Sequence, residues 1–225
     1  MSLTFTKRET PNFRAGRRGD IPVDMIVDHI TEGNAESVYS WFGSEKSGVS
    51  AHYMVRKDGD IDQFVDEKDE AFHAGRILNP KSPLVIERDG INPNWYSIGI
   101  EHECKIGEEL TPAQREASIE LHREICKRHK IPMTRRHIVG HNEIFSAKSC
   151  PGLLNMGVHV SRIANAKLTL GNKPAPPQVL WSNFFRDWII VTKVVNDTEW
   201  YFIPLKQLHN YKPLRAQTPL SAMPK

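Results

Sequence analysis

Residues 21–31, Ile-Pro-Val-Asp-Met-Ile-Val-Asp-His-Ile-Thr, constrain the fold more than any other stretch of this chain. Apolar side chains dominate up to Val27, over a length that suits a buried strand. A buried strand commits the chain to a sheet with other elements packed on it. His29 falls at the end of that strand or just past it, and a helix is expected next. Ala35, Val38, Tyr39 and Phe42 fall at helical spacing, with Asn34 placed to cap the start and Gly43 to end it.

The next signals extend the sheet. Residues 50–56 and 60–65 flank Asp58-Gly59, a dipeptide that predicts a hairpin with a type I′ turn. Residues 77–94 hold Pro80, Pro83, Pro93 and Gly90 among polar residues and read as a long loop, of a kind that is often functional. Residues 96–103, Tyr-Ser-Ile-Gly-Ile-Glu-His-Glu, read as a strand with acids at its end. The clearest helix follows, to about Lys130: Thr111 caps, Pro112 takes the first position and Gln114 completes a capping box. Ala117, Leu121 and Ile125 form its expected core stripe, and Pro132 stops it. Residues 136–139 make another short strand leading into Gly140-His141.

The length of 225 residues suits one full domain plus a short appendage. Lys173 to Gln178, Lys-Pro-Ala-Pro-Pro-Gln, reads as a stiff linker. This gives a main domain over 1–172, a linker over 173–179 and an appendage over 180–225. Trp181, Phe184, Phe185, Trp188, Trp200, Tyr201 and Phe202 crowd into the appendage, and 188–195 and 199–205 read as two strands. A lone hairpin is marginal in water, so the appendage is expected to pack on the main domain, on a second copy or on a ligand.

No apolar run approaches the roughly 18–20 residues of a membrane span. Met1 to Gly19 is polar and basic and does not read as a secretory signal. A formal charge of +3 is too small to argue for nucleic acid and is compatible with an anionic polymer. Cys104, Cys126 and Cys150 are an odd set with no C-x-x-C pair, which does not look like a disulfide framework. Cys104 and Cys126 are most simply buried small hydrophobes. One cysteine has a candidate chemistry. Gly140-His141-Asn142-Glu143 precedes Lys148-Ser149-Cys150-Pro151-Gly152 across a loop-like gap, and His29 follows a buried strand. Two His and one Cys match a catalytic zinc site that keeps its fourth position open. With ten histidines in the chain, spacing alone leaves chance proximity open.

Six segments together resemble the type 2 N-acetylmuramoyl-L-alanine amidases, the family of phage amidase endolysins, cell-wall recycling amidases and peptidoglycan recognition proteins. They are Ile26-Val27-Asp28-His29, Val49-Ser50-Ala51-His52-Tyr53 running into Arg56-Lys57-Asp58-Gly59, and Phe72-His73-Ala74-Gly75. Ser97-Ile98-Gly99-Ile100-Glu101, Gly140-His141-Asn142-Glu143 and Lys148-Ser149-Cys150-Pro151-Gly152 complete the set. They stand in the family's order across roughly residues 20–165, and the order makes the match specific.

The resemblance implies an α/β fold in which a mixed central sheet is flanked by helices around a zinc-containing groove, with the β-rich appendage added. It implies one Zn2+ held by His29, His141 and Cys150. Relatives that only recognise the wall lose the third ligand, so Cys150 implies an enzyme. The implied reaction is hydrolysis of the amide between muramic acid and L-alanine, with zinc activating water and polarising the carbonyl. Glu101 is implied as the proton carrier, with Glu103 as fallback. One branch of the family uses a Tyr where this chain has Ala51, which removes that alternative. Lys148 is implied as the cation for the developing oxyanion. His73 matches a groove-lining position and is expected to touch substrate, as are Trp95 and Tyr96.

The partner so implied is bacterial peptidoglycan, with no nucleic acid and no membrane, and with wall or a second copy on the appendage. The favoured role is a phage or prophage endolysin, made in the cytoplasm and acting on the wall after release. A cytosolic recycling amidase acting on soluble muropeptides is the alternative. A non-catalytic wall-binding protein is a further class, disfavoured by Cys150, Lys148 and Glu101. A metal nuclease built on His141-Asn142-Glu143 is disfavoured by the modest charge. His52 is expected in the sheet, and His102, His122, His129, His137, His159 and His209 on the surface or in structural roles.

Overall fold

The strand expected within 21–31 forms at Met25–Ile30, and all six of its residues are buried. The computed structural model describes residues 3–164 and, beyond them, the backbone of four further strands. Two units divide the chain, Met1–Met156 and Gly157–Lys225. In the first, the elements run β1 (Phe5–Lys7), β2 (Phe13–Arg14), β3 (Met25–Ile30), α1 (Ala35–Phe42), β4 (Tyr53–Val55) and β5 (Ile61–Gln63). They continue with β6 (Glu70–Ala71), α2 (Pro83–Glu87), β7 (Ser97–His102), α3 (Pro112–His129) and β8 (Ile138–Gly140). No described helix is long and apolar enough to cross a membrane.

The central sheet is six-stranded in the order β1-β5-β4-β7-β3-β8. Only β4 and β5 pair antiparallel, so the sheet is mixed. The register sets Met25, Val27 and His29 of β3 beside Ser97, Gly99 and Glu101 of β7. Because side chains alternate along a strand, these residues share one face. On it Met25, Val27 and Val139 pack with Ala74, Leu84, Val85, Tyr96 and Ile144. Val38 and Phe42 of α1 close the same face further along, against Met54 and Phe64. The other face carries α3.

Helix α3 begins as expected: the Thr111 hydroxyl accepts from Gln114 N at 3.1 Å, and the Gln114 side chain returns the bond to Thr111. Its buried stripe differs from the expected one. Gln114, Ser118, Leu121, His122 and Ile125 face the sheet, while Ala117 is only half-buried. The polar members are admitted because the sheet supplies partners. Gln114 Nε2 donates to Val55 O at 2.9 Å, and His122 Nε2 stands 3.0 Å from Asp28 Oδ1. The helix ends with Lys130 in the left-handed region, two residues before Pro132.

Two local expectations are corrected, and a basic segment with no expected structure finds a place. The hairpin between β4 and β5 does not use a type I′ turn, since only Gly59 of the central pair takes positive φ (94°). Gly59 N donates to Arg56 O at 3.0 Å and Arg56 N to Asp60 O at 2.8 Å, which is a turn followed by a left-handed glycine. The stretch at 77–94 is not a bare loop: it holds α2 and a 3-10 turn at Pro93–Trp95. The basic N-terminal segment is bound into the fold. β1 adds an edge strand beside β5, Arg8 Nε pairs with buried Asp62 at 3.0 Å, and the Arg17 guanidinium donates to the carbonyls of Glu67, Asn94 and Ser97.

Glu67 ties α3 to the loop after β5. Its carboxylate takes hydrogen bonds from Tyr53 Oη at 2.8 Å and Arg128 Nε at 3.1 Å, and meets His129 Nε2 at 2.7 Å. Burial alone would raise the pKa of this acid, but its hydrogen bonds with His129, Arg128 and Tyr53 outweigh burial and hold it well below the usual range. A depressed carboxyl stabilises the fold above its unfolded pKa of about 4.3, and that contribution is lost as pH falls towards the folded value. Glu67→Ala is therefore expected to cost about 3 kcal/mol at pH 7 in urea unfolding, with the difference from wild type shrinking below about pH 4.

The second unit is entered along α4 (Met156–Ala164). It contains β9 (Gln178–Ser182), β10 (Asp187–Val194), β11 (Trp200–Pro204) and β12 (Leu214–Ala216), an antiparallel sheet in the order β12-β11-β10-β9. The two expected strands form as β10 and β11, and two more flank them, so the appendage is not a lone hairpin. Gln178 and Val179, expected in the linker, instead begin β9 opposite Val191 and Ile190. The linker from Lys173 to Pro177 and the side chains of the aromatic cluster lie outside the described residues, as does His209.

Candidate metal centre

His29 is the penultimate residue of β3, which lies between β7 and the edge strand β8. Its backbone is pinned from the α3 side, where His102 Nδ1 donates to His29 O at 2.8 Å and His102 Nε2 meets Ser118 Oγ at 2.7 Å. His102 is thus structural, and so is His52, whose Nδ1 accepts from Gly99 N at 3.0 Å.

His141 and Cys150 are delivered by one short loop. β8 ends at Gly140, and a 3-10 turn over His141–Glu143 reverses the chain. Glu143 locks that turn: it accepts from Gly140 N at 2.8 Å and from Arg135 Nη2 at 2.6 Å on each oxygen. That engagement removes Glu143 as a nuclease-type acid. Asn142 N donates to Cys150 O at 2.8 Å and closes the loop. Gly140 is required because a Cβ there would lie 2.5 Å from Pro151 Cδ. Gly152 has φ 63°, and its Cβ would meet Ile30 Cδ1 at 2.8 Å.

The three donors converge. One nitrogen each of His29 and His141 and the sulfur of Cys150 lie within 4.8 Å of one another, and all three residues are buried. His29 Nδ1 and His141 Nδ1 are 3.1 Å apart. Two nitrogens on one tetrahedral zinc stand about 3.3 Å apart, given Zn–N bonds of about 2.0–2.1 Å. His141 Nε2 faces the Ala74 carbonyl at 3.0 Å and must carry the proton, so its lone pair is on Nδ1. Burial lowers His141 to about 4 and pushes His29 well below its ordinary value, so both rings are neutral at pH 7. The Cys150 sulfur accepts from Ile30 N at 3.1 Å, while burial pushes its thiol up. Two neutral imidazoles beside a sulfur, with the His141 lone pair turned inward, are a zinc donor set, and the residues fit the ion. Cys104 and Cys126 are buried and unbridged, as expected.

Glu101 stands opposite His29 in register. Its Oε2 is buried and has no hydrogen-bond partner among the described residues. Burial raises its pKa to about 8, helped by the Glu32 carboxylate and opposed by Lys148. Lys148 is exposed, and its charge also acts on His29 and His141. Glu103 does not join the site. Its two oxygens accept from Ala35 N at 3.1 Å and Lys57 N at 3.0 Å, so it holds the start of α1 and the hairpin turn.

Of the three expected substrate contacts, only Tyr96 is fully enclosed. Tyr96 is fully buried in the core, with the Arg88 guanidinium 4.0 Å from its ring centre, and has no surface to offer. Trp95 is half-buried, with the Arg18 guanidinium 4.9 Å from its ring centre and Gly19 beside it. His73 is buried, with Nδ1 3.2 Å from His29 Nε2 and Nε2 3.2 Å from Ser97 Oγ. Sequence reasoning missed Asn94, whose Oδ1 accepts from both His73 N (3.1 Å) and Ala74 N (2.8 Å). It also missed Gly99, where a Cβ would lie 2.4 Å from His73 Cγ. An isolated glycine inside a strand was the available signal for that close approach.

A family model described as N-acetylmuramoyl-L-alanine amidase matches residues 19–153. The chain is 35% identical over 106 residues to N-acetylmuramoyl-L-alanine amidase A of Achromobacter lyticus, covering 46% of this chain and 51% of that one. It is 32% identical over 120 residues to 1,6-anhydro-N-acetylmuramyl-L-alanine amidase AmpD of Haemophilus influenzae, covering 52% and 60%. The chain thus spans about half the length of the curated relatives it matches. Among solved structures, an AmpD derivative aligns with a TM-score of 0.58 at 22% identity, over 72% of this chain and 99% of that one. The PlyG catalytic domain aligns with a TM-score of 0.55 at 18% identity, over 76% and 100%. At those identities the structures show a shared fold.

Proposed function

The chain belongs to the type 2 N-acetylmuramoyl-L-alanine amidase family, and from that premise we propose that it hydrolyses the muramoyl–L-alanine amide of peptidoglycan with one zinc on His29, His141 and Cys150. The observation that carries the proposal is the convergence of those three buried donors beside a carboxylate of raised pKa. When bound, zinc supplies a Lewis acid that activates water and polarises a carbonyl.

The chain's own residues supply the rest. Glu101 takes a proton from the attacking water and returns it to the leaving amine. A carboxyl with its inner oxygen unsatisfied holds that proton near neutral pH, where an acid–base group works in both directions. Lys148 places a fixed cation beside the donors, where negative charge develops on the carbonyl oxygen.

The role proposed is an endolysin, reaching the wall after release from the producing cell. Supporting it is the second unit, a separate four-stranded sheet with an aromatic-dense sequence, suited to hold wall or a second copy. The second reading, a recycling amidase, is favoured by the 32% identity to AmpD. Purified wall and soluble muropeptides, offered separately, distinguish them. The endolysin reading expects release of peptide from intact wall; turnover of soluble fragments alone supports recycling and overturns it.

A further inference from the structure

We propose that His73 is a positioning residue that fixes the tautomer of His29, so that the Phe72–Gly75 loop sets both histidine ligands of the zinc site. This rests on the zinc reading above. The geometry runs through a chain of donors whose ends are fixed. Ser97 Oγ lies 2.6 Å from the Pro93 carbonyl, which can only accept, so the hydroxyl proton is committed there. Ser97 Oγ must then accept from His73 Nε2 at 3.2 Å, so Nε2 carries the proton of that ring. The lone pair of His73 is left on Nδ1, 3.2 Å from His29 Nε2. His29 therefore holds its proton on Nε2 and presents its lone pair on Nδ1, the atom 3.1 Å from His141 Nδ1.

The same loop treats the second ligand alike. The Ala74 carbonyl takes the His141 Nε2 proton at 3.0 Å and leaves Nδ1 bare. One dipeptide thus aims two lone pairs at one point. The loop is held to do so: Asn94 Oδ1 binds the backbone N–H of both His73 and Ala74, and Gly99 leaves the space the His73 ring fills. The His29 and His73 rings meet edge to face, with centroids 5.3 Å apart and planes at 85°. Ligating histidines are commonly oriented by a partner on their other nitrogen, and loss of such a partner costs about 10–100-fold in metal affinity.

The test is zinc affinity of the full-length chain, stripped of metal and titrated against a chromophoric chelator. His73→Ala is expected to weaken zinc binding about 10–100-fold. His73→Asn, whose Oδ1 keeps an acceptor near the position of Nδ1, recovers most of the loss. Ser97→Ala, which frees the His73 tautomer without touching His29, shows a smaller loss. Long-range nitrogen–proton NMR of the metal-free wild type is expected to show His29 with its proton on Nε2. Unchanged zinc affinity in His73→Ala, with KM for wall fragments raised, overturns the relay and makes His73 a substrate contact. A wild-type chain without zinc affinity overturns the zinc reading itself.

Discussion

Glu101→Gln is expected to lower amide hydrolysis about 10²–10⁴-fold while a full equivalent of zinc still binds. The size is that of losing a positioned acid–base group, and three obvious replacements are not free to act. Glu103 is bound to two backbone N–H groups, Glu143 to Arg135, and the position of the family's alternative tyrosine holds Ala51, which is buried in the core under α1. Glutamine keeps the shape and hydrogen-bonding atoms but cannot carry the proton. Near-normal hydrolysis by the variant, measured as released peptide, removes Glu101 from its role.

The same substitution has a signature in the metal-free protein. The Glu101 pKa of about 8 lies above the roughly 4.3 of an unfolded chain, so between those values the folded state holds a proton the unfolded state has released. Stability then falls as pH rises through that window. Glu101→Gln abolishes this component. In chelator, the thermal midpoint of the variant is expected to gain on wild type from pH 5 to pH 8.5; parallel curves contradict the raised pKa.

Cys150→Ala is expected to remove tight zinc binding and hydrolysis together. Its sulfur is one of three donors, so its loss should exceed the about 10–100-fold cost of removing an outer partner. The variant leaves the loop its glycines and the Asn142–Cys150 backbone bond, so the fold around the site should persist. Equilibrium dialysis with zinc, alongside unfolding curves, separates metal loss from misfolding. A retained full equivalent of tightly bound zinc would show that a different residue is the third ligand.

The candidate donors were legible through the resemblance of the six ordered segments, since spacing alone left chance proximity open, although each sits where local chain geometry changes: His29 at a strand end, His141 after a strand-ending glycine, Cys150 before Pro-Gly. The caps of α1 and α3 were legible for the same reason, since Asn34 and Thr111 act within three residues of themselves. What escaped depends on distant partners. Ser118 and His122 look wrong for a buried helix face until His102 and Asp28 arrive from the sheet. Tyr96 looks available for substrate until Arg88 and the core enclose it. Arg17 looks like surface charge until three carbonyls surround it. The two nitrogen partners of His73 come from β3 and β7, which no local pattern shows. Five residues in α2 are too few for periodicity to register, although Ser82-Pro83 carries a helix-start signal.

The most direct test of the central claim is mass analysis of purified peptidoglycan after digestion by the zinc-loaded chain. Cleavage is expected to leave glycan strands intact, with free lactyl carboxyls on muramic acid and peptides bearing free L-alanine amino ends. Chelation should stop it and zinc restore it. New reducing sugar ends, or new amino ends on any residue other than that L-alanine, would contradict the assignment.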